Sequence, residues 1–204
     1  MNPARALALL AFASGSIHLL GQQAIPLHEG DLLFQHIGGE QGAALRLATG
    51  SPWTHVGMAM LERGSWVVVE AVGPVKRTPL QEWVEQGDGE FVVKRYLKEG
   101  APLGAKDIEH LRNALKPYMG LGYDFEFRWS DELIYCSELV WKVYEKALDV
   151  RLCEPMPMRT FDLSDPLVQR IMRDRYGATP PLGELMVAPS SLIDCPLLTF
   201  VGKR

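Results

Sequence analysis

The sequence predicts a domain of the α+β class. Several segments have apolar residues at helical spacing and indicate helices; the clearest is 136–148. No internal repeat, linker or shift in composition divides the 204 residues, so we expect a single domain large enough to bury a core without metal or disulfide support. Four short runs of β-branched and apolar residues are typical of strands: 30–37, 55–61, 66–72 and 91–97.

The first predicted element is the strand at 30–37, which follows a turn. Gly38 and Gly39 come next, and a helix is expected from about 40 to 48. The run 49–52, Thr-Gly-Ser-Pro, carries the turn residues that end such a helix.

The clearest hairpin of the sequence comes next. The turn at 62–65 separates the strands at 55–61 and 66–72, which are runs of β-branched and apolar residues. Pro79 suits the first turn of a short helix that extends to Glu85, since its fixed φ favours that position. The strand at 91–97 then follows.

Helices are expected to dominate the second half of the chain. One is predicted from about 105 to 118, where Gly120 and Gly122 interrupt it. The second is 136–148, and the third is 166–176 within a Pro-rich remainder.

The first 24 residues have the outline of a secretory signal peptide. Arg5 supplies one positive charge before the apolar run 6–13, and small residues place cleavage near Ala13 or Ala24. The run is too short to cross a bilayer, which takes about 20 residues, and no other segment is long and apolar enough to be a membrane span. We expect export to the periplasm and a single domain at 25–204. The alternative is an amphipathic N-terminal helix of a cytoplasmic domain.

Charge and composition exclude several classes of protein. The chain has 21 basic and 25 acidic residues, a net charge of −4, and no dense basic face, so a nucleic-acid partner is not expected. Neither a Gly-rich phosphate loop nor a G-x-S-x-G elbow occurs, and no cofactor is expected. Three cysteines are too few for a disulfide scaffold, and an odd number leaves one thiol over.

Cys136 is the candidate nucleophile. It stands at the predicted start of the helix 136–148, where free backbone N–H groups and the helix dipole favour a thiolate. The same N–H groups are available to an oxyanion. The alternative is a buried cysteine that acts only as a small apolar residue.

His55 is the candidate base. It lies where a loop enters a strand, and its imidazole can accept the thiol proton and later protonate a leaving amine. Surface or structural roles are expected for the other four histidines: His18, His28, His36 and His110.

Glu70 is the candidate orienting acid. It interrupts the apolar strand 66–72, and a buried carboxylate needs a partner. If the hairpin turn is centred on Arg63 and Gly64, His55 and Glu70 are diagonal neighbours on one face of the sheet, within reach of each other. The alternative is a solvent-facing glutamate.

A metal site made of the same three residues is the other possibility considered. Cys, His and Glu all bind zinc, but structural zinc sites usually contain closely spaced ligand pairs. The sequence contains neither C-x-x-C nor H-x-x-x-H, so no metal is expected.

The order of His55, Glu70 and Cys136 resembles that of the circularly permuted papain-fold cysteine hydrolases of the NlpC superfamily, in particular the YiiX/YebB-like group. The similar segments cover most of the chain: 30–35 (GDLLFQ), 54–58 (THVGM), 69–76 (VEAVGPVK), 123–125 (YDF), 129–131 (WSD), 135–138 (YCSE), 141–144 (WKVY), 161–164 (FDLS), 175–177 (RYG) and Pro189.

This resemblance implies a permuted papain-like fold in which a small antiparallel sheet packs against helices. It implies Cys136 as the nucleophile, His55 as the base and Glu70 as the orienting acid. Tyr123 matches a position whose hydroxyl would help the Cys136 N–H hold the oxyanion. A role for Tyr123 in packing a loop is equally expected, and Asp124 is expected to cap a helix or turn. Cys153 and Cys195 fall outside the family pattern, and in an exported protein they are free to form a disulfide.

The resemblance also implies acyl transfer through a thioester. The leading hypothesis is cleavage of an amide in a cell-wall (peptidoglycan) peptide. The alternatives are a hydrolase or acyltransferase for lipid-like acyl substrates, with Trp53, Trp66 and Trp83 lining an apolar channel, and a ligand-binding protein that no longer uses its cysteine. A small peptide or acyl substrate is the expected partner.

Overall fold

The computed structural model describes residues 25–204. The predicted signal peptide and its cleavage sites lie outside these residues. Among the residues described, no helix has both the length and the apolarity of a membrane span.

A six-stranded antiparallel sheet forms the centre of the fold, with the strand order β4-β3-β2-β1-β5-β8. The strands β6 and β7 pair separately. The eight strands are β1 (Leu32–Gln35), β2 (His55–Glu62), β3 (Ser65–Ala71), β4 (Val75–Pro79), β5 (Phe91–Tyr96), β6 (Met156–Pro157), β7 (Leu185–Met186) and β8 (Leu198–Lys203).

Helices pack on both faces of this sheet. Short 3₁₀ turns at Lys116–Tyr118 and Met158–Thr160 complete the regular structure. The six α-helices are α1 (Gly39–Thr49), α2 (Leu80–Gln86), α3 (Ala105–Leu115), α4 (Cys136–Leu148), α5 (Pro166–Tyr176) and α6 (Pro189–Ile193). The α+β class and the antiparallel sheet are therefore as expected.

The alternation of side chains along β2 separates two cores. Val56 and Met58 point into the larger core, which contains the buried sides of α3 and α4. Ala59 points into the smaller core, which is covered by Leu80 and Trp83 of α2. The sheet is thus buried on both faces, and α4 is fixed against the strand that carries His55.

The sequence predictions missed the strands β4, β6, β7 and β8 and the helix α6. The strand β4 was not predicted because Gly73 and Pro74 precede it and Pro79 ends it, and an edge strand tolerates a proline that a central strand would not. The strand β8 was not predicted because its apolar residues Leu198, Phe200 and Val201 are mixed with Thr199, Gly202 and Lys203, and only Leu198 is buried. The helix α6 has only five residues, too few for a periodic pattern.

The predicted helix 105–118 is shorter as an α-helix than expected. It ends at Leu115 and continues as the 3₁₀ turn Lys116–Tyr118. Pro117 lies in that turn, and its ring and missing N–H are incompatible with a continued α-helix.

Candidate active site

The β2–β3 hairpin sets the geometry of the first half of the site. Its two-residue loop is Arg63 and Gly64, both with positive φ, and Glu62 pairs with Ser65. This register places His55 and Glu70 on the same face, as predicted. His55 Nε2 lies 2.7 Å from Glu70 Oε2.

Glu70 is fully buried and held from two sides. The Thr78 hydroxyl on β4 donates a hydrogen bond to Glu70 Oε1, while His55 contacts the other oxygen. Burial alone would raise the pKa of this carboxyl, but the contacts with His55 and Thr78 outweigh it and hold the pKa below its usual value. Glu70 is therefore an ionised, oriented carboxylate.

Gly57 makes the close approach of the two strands possible. It lies opposite Glu70 in the hairpin register, and a Cβ placed on it would lie 2.3 Å from Val68 Cγ1 and 3.4 Å from Glu70 Cβ. No side chain fits at 57 unless β2 and β3 separate, which would also separate His55 from Glu70.

Cys136 is the first residue of α4 and is buried beside His55. Burial is the largest single influence on its thiol and raises the pKa. The hydrogen bond and charge of His55, with smaller contributions from Val56 N–H and Ser137, outweigh burial, so the net shift is downward.

The pKa of the His55 imidazole shifts upward, opposite to that of the Cys136 thiol. Burial alone would lower its pKa, but the interactions with Cys136 and Glu70 outweigh burial and raise the pKa to about 9. A lowered thiol pKa next to a raised imidazole pKa favours the thiolate–imidazolium pair at neutral pH.

The other two cysteines have the opposite character. All three thiols are free, so the disulfide between Cys153 and Cys195 is not formed in this structure. Burial raises the pKa of the Cys153 thiol to about 12 and also raises that of Cys195. Cys136 is thus distinguished from both by the ease with which it ionises.

Tyr123 lies at the same pocket as Cys136. Burial, followed by the nearby charge of Cys136, raises its pKa well above the usual value, so the hydroxyl keeps its proton. Gln41 Nε2 donates to this hydroxyl at 3.1 Å, which leaves the O–H of Tyr123 free to donate elsewhere. The neighbouring Asp124 is a cap, since its carboxylate accepts the backbone N–H groups of Glu126 and Arg128.

A pocket opens at Cys136 between α1, α5 and the segment 186–189. The empty space in this pocket, including the solvent at its open mouth, is about 740 Å³. Its apolar lining comes mainly from Ala44, Leu45, Ala48, Phe127, Met158, Phe161, Leu163, Val168, Ile171, Met172, Met186 and Val187.

The expected tryptophan-lined channel is wrong. None of Trp53, Trp66 and Trp83 lines this pocket. Trp66 and Trp83 belong to the smaller core, on the side of the sheet covered by α2, and Trp53 packs against the larger core. The apolar surface next to Cys136 comes instead from aliphatic side chains and methionines together with Phe127 and Phe161.

Several residues near the site were missed from the sequence. Tyr135 and Ser137, on either side of Cys136, fix the segment at 187: the Tyr135 hydroxyl accepts from Val187 N–H at 3.1 Å, and Ser137 donates to Val187 O at 2.7 Å. Gln41 was missed because it lies on α1, about a hundred residues from Cys136. Only its place in the fold identifies it.

Comparison with known proteins agrees with this geometry. The chain is 44% identical over 176 residues to the "Uncharacterized protein YiiX" of Escherichia coli (strain K12), with 86% of both chains covered. It also matches the crystal structure of "metalloprotein yiiX" from Escherichia coli O157:H7, with a TM-score of 0.82, 45% identity, and coverage of 86% of this chain and 97% of that one.

A cysteine at a helix N-terminus, paired with a histidine that precedes it in the chain, defines a papain-like cysteine hydrolase of permuted order. The family model described as "Permuted papain-like amidase enzyme, YaeF/YiiX, C92 family" matches residues 26–202. The chain belongs to this family, and the resemblance found in the sequence is confirmed.

Proposed function

We propose that this protein is a cysteine amidase that removes an apolar, lipid-like acyl group from an amine. The observation that carries the proposal is the apolar pocket that opens directly at Cys136. A pocket of this kind stabilises a bound acyl chain by removing it from water, at roughly 0.8 kcal/mol per buried methylene.

Covalent catalysis by Cys136 gives a balanced sequence of steps. The thiolate attacks the amide carbonyl, and the developing oxyanion accepts hydrogen bonds from the Cys136 N–H and the Tyr123 hydroxyl. As the C–N bond breaks, the imidazolium of His55 gives its proton to the leaving amine, and a thioester remains.

Hydrolysis of the thioester completes the cycle. The neutral imidazole of His55 takes a proton from water, and the resulting hydroxide attacks the thioester carbonyl. The C–S bond breaks, the carboxylic acid is released, and the proton on His55 restores the original pair. Throughout, Glu70 orients the imidazole and stabilises its cation, which is the role of the acid in a catalytic triad.

The lining of the pocket favours an acyl substrate over a cell-wall peptide. Peptidoglycan peptides carry several carboxylates and amines, which would be desolvated without partners against these apolar side chains. Cleavage of such a peptide therefore stays a hypothesis that the same experiment tests. Export to the periplasm likewise stays a proposal, which N-terminal sequencing of the protein from cell fractions would check.

A metal does not fit the residues near Cys136. The crystal structure of the relative from O157:H7 is described as that of a metalloprotein. Among residues 25–204, however, no three His, Cys, Asp or Glu side chains come together as a set of metal ligands. One nitrogen of His55 is already held by Glu70, and the mechanism contains no metal-dependent step.

Chain-length dependence tests the proposal. We expect N-acyl amides to be hydrolysed with kcat/KM rising from acetyl to lauroyl, and Cys136→Ala to abolish the reaction. Ala48→Phe, which narrows the pocket, should reduce kcat/KM for the lauroyl amide at least tenfold and leave the acetyl amide unchanged. Leu47→Phe is the matched control, because Leu47 is exposed on the same helix and does not line the pocket.

Peptidoglycan fragments are assayed in parallel. If they are cleaved in a Cys136-dependent reaction while lauroyl amides are not, the cell-wall hypothesis replaces the acyl proposal.

A further inference from the structure

Arg175 is an unexplained charge in the wall of the apolar pocket. Among the described residues that line it, Arg175 is the only Arg, Lys, Asp or Glu. It is the penultimate residue of α5 and is half-buried. A guanidinium is charged at all physiological pH values, so its position next to apolar side chains needs a physical reason.

Among residues 25–204, the side-chain contacts of Arg175 are with an aromatic ring and an amide. Its guanidinium lies over the Phe127 ring at 5.1 Å and donates to Gln41 Oε1 at 3.4 Å. Within the described part of the chain, no carboxylate lies within ion-pair distance of it. A half-buried cation of this kind is stabilised by an anion that shares its pocket.

Arg175 also lies close to the reaction centre. Gln41 joins it to Tyr123, since the Gln41 amide accepts from Arg175 on one side and donates to the Tyr123 hydroxyl on the other. One glutamine amide thus separates the guanidinium from Tyr123, the candidate oxyanion donor, and both side chains line the pocket that opens at Cys136.

We infer that the substrate carries an anionic group, a carboxylate or a phosphate, near its scissile amide, and that Arg175 binds it. The substrate class is then an anionic N-acyl amphiphile, with its acyl chain in the apolar pocket and its anion on the guanidinium. The inference rests on the proposed function, because it assigns a second part of the same substrate.

Binding to the Cys136→Ala protein tests the inference without turnover. The probes are N-lauroylglycine, N-lauroyl phosphoethanolamine and neutral N-lauroylglycinamide, measured by calorimetry. A hydrogen-bonded charge pair predicts that at least one of the two anionic probes binds about ten- to a hundredfold more tightly than the glycinamide. Whichever anion is preferred identifies the carboxylate or phosphate source.

Three further variants in the Cys136→Ala background separate anion binding from a structural role. Arg175→Gln should reduce the ratio of the affinity for the preferred anionic probe to that for N-lauroylglycinamide to about one. Binding of the glycinamide itself, which reports an intact pocket, should stay unchanged. Arg175→Lys should keep part of the preference. Arg173→Gln should keep all of it, because Arg173 is exposed on the same helix.

The outcomes that contradict the inference are distinct from failure of the proposed function. Equal binding of neutral and anionic probes, or a preference that survives Arg175→Gln, overturns the role of Arg175 and leaves the acyl pocket standing. Loss of glycinamide binding in Arg175→Gln assigns Arg175 to the structure of the pocket instead. If no lauroyl probe binds the Cys136→Ala protein, both the acyl pocket and the anion site are wrong.

Discussion

At the scale of single residues, the site depends on His55, whose imidazole interacts with both Glu70 and Cys136. Its Nε2 is held by Glu70, so the other ring nitrogen is the one available to Cys136. Because the imidazole interacts with negative charge on both sides, its cation is stabilised, and the same cation stabilises the thiolate. The cysteine is therefore activated before any substrate binds.

Selective alkylation tests this activation. At pH 6.5, iodoacetamide should label Cys136 much faster than Cys153 or Cys195, since its pKa is lowered and theirs are raised. His55→Ala should slow labelling of Cys136 at least tenfold. Peptide mapping by mass spectrometry measures the rates, and equal labelling of the three thiols would contradict the thiolate assignment.

The pH dependence of the reaction tests the role of Glu70. In the proposed mechanism the imidazolium of His55 protonates the leaving amine, so kcat/KM should fall as pH rises through the His55 pKa, about 9. Glu70→Gln removes a neighbouring negative charge, which lowers that pKa and moves the alkaline limb of the profile to lower pH. It should also reduce kcat by about a hundredfold or more.

Glu62→Gln is the control for this pH profile. Glu62 lies on the same hairpin and pairs with Arg77 at the surface, so neither the rate nor the profile should change. An unchanged alkaline limb in Glu70→Gln would show that Glu70 does not act on His55.

At the scale of elements, α4 begins with a buried carboxylate as well as a cysteine. Glu138 is fully buried, accepts the Tyr135 N–H at 3.4 Å, and lies 2.9 Å from Lys142 Nζ. Lys142 also contacts Ser130 O and Asp131. These contacts tie the segment before Cys136 to the first two turns of the helix.

The burial of Glu138 predicts a pH-dependent stability. Burial, only partly opposed by Lys142, raises its pKa to about 7. Because the folded protein holds the Glu138 proton more tightly than the unfolded chain does, the protonated carboxyl stabilises the fold. This stabilisation is full below about pH 4.5 and is lost as pH rises through about 7. The change is on the order of 3 kcal/mol in the free energy of unfolding.

Urea denaturation between pH 4.5 and 8 measures this contribution. Glu138→Gln should flatten the dependence, whereas Glu145→Gln, at a partly exposed position on the same helix, should leave it as in the parent. A parent and a Glu138→Gln protein with the same pH slope would contradict the raised pKa.

In the β2–β3 hairpin, Gly57 is the position at which an added side chain would disturb the packing of the strands. Gly57→Ala places a methyl group against Val68 and should lower the free energy of unfolding by about 1–3 kcal/mol. It should also lower kcat, because the strands that carry His55 and Glu70 move apart. Gly73→Ala is the control, since a Cβ there meets no atom within 4 Å. Thermal and kinetic measurements that do not distinguish the two variants would contradict this account.

At the scale of the whole molecule, the site joins parts that are far apart in sequence. The sheet supplies His55 and Glu70, the N-terminus of α4 supplies Cys136, and α1 with α5 supplies the pocket. His55, the proposed base, precedes Cys136, the proposed nucleophile, along the chain, and the family to which the chain belongs is described as permuted papain-like.

The sequence predicts the local half of this arrangement. The turn at Arg63 and Gly64 fixes a register, and a register fixes which side chains share a face, so the contact between His55 and Glu70 follows from one hairpin. The start of α4 at Cys136 is local in the same sense.

The parts that depend on distant packing were not predictable from the sequence. Thr78 holds Glu70 only because β4 pairs with β3, and β4 is too short and too polar to be recognised. The pocket forms where α1 packs against α5, which brings Gln41 to Arg175 across more than a hundred residues. No local pattern indicates such a contact, whereas the family resemblance gave the overall fold.

Intact-protein mass spectrometry of an acid-quenched reaction with an N-lauroyl amide tests whether Cys136 carries the acyl group during catalysis. We expect one lauroyl group on the wild-type chain, mapped to Cys136, released on standing at neutral pH, and absent from Cys136→Ala. Turnover of the amide by Cys136→Ala, or a lauroyl group on Cys153 or Cys195 with none on Cys136, would contradict this role of Cys136.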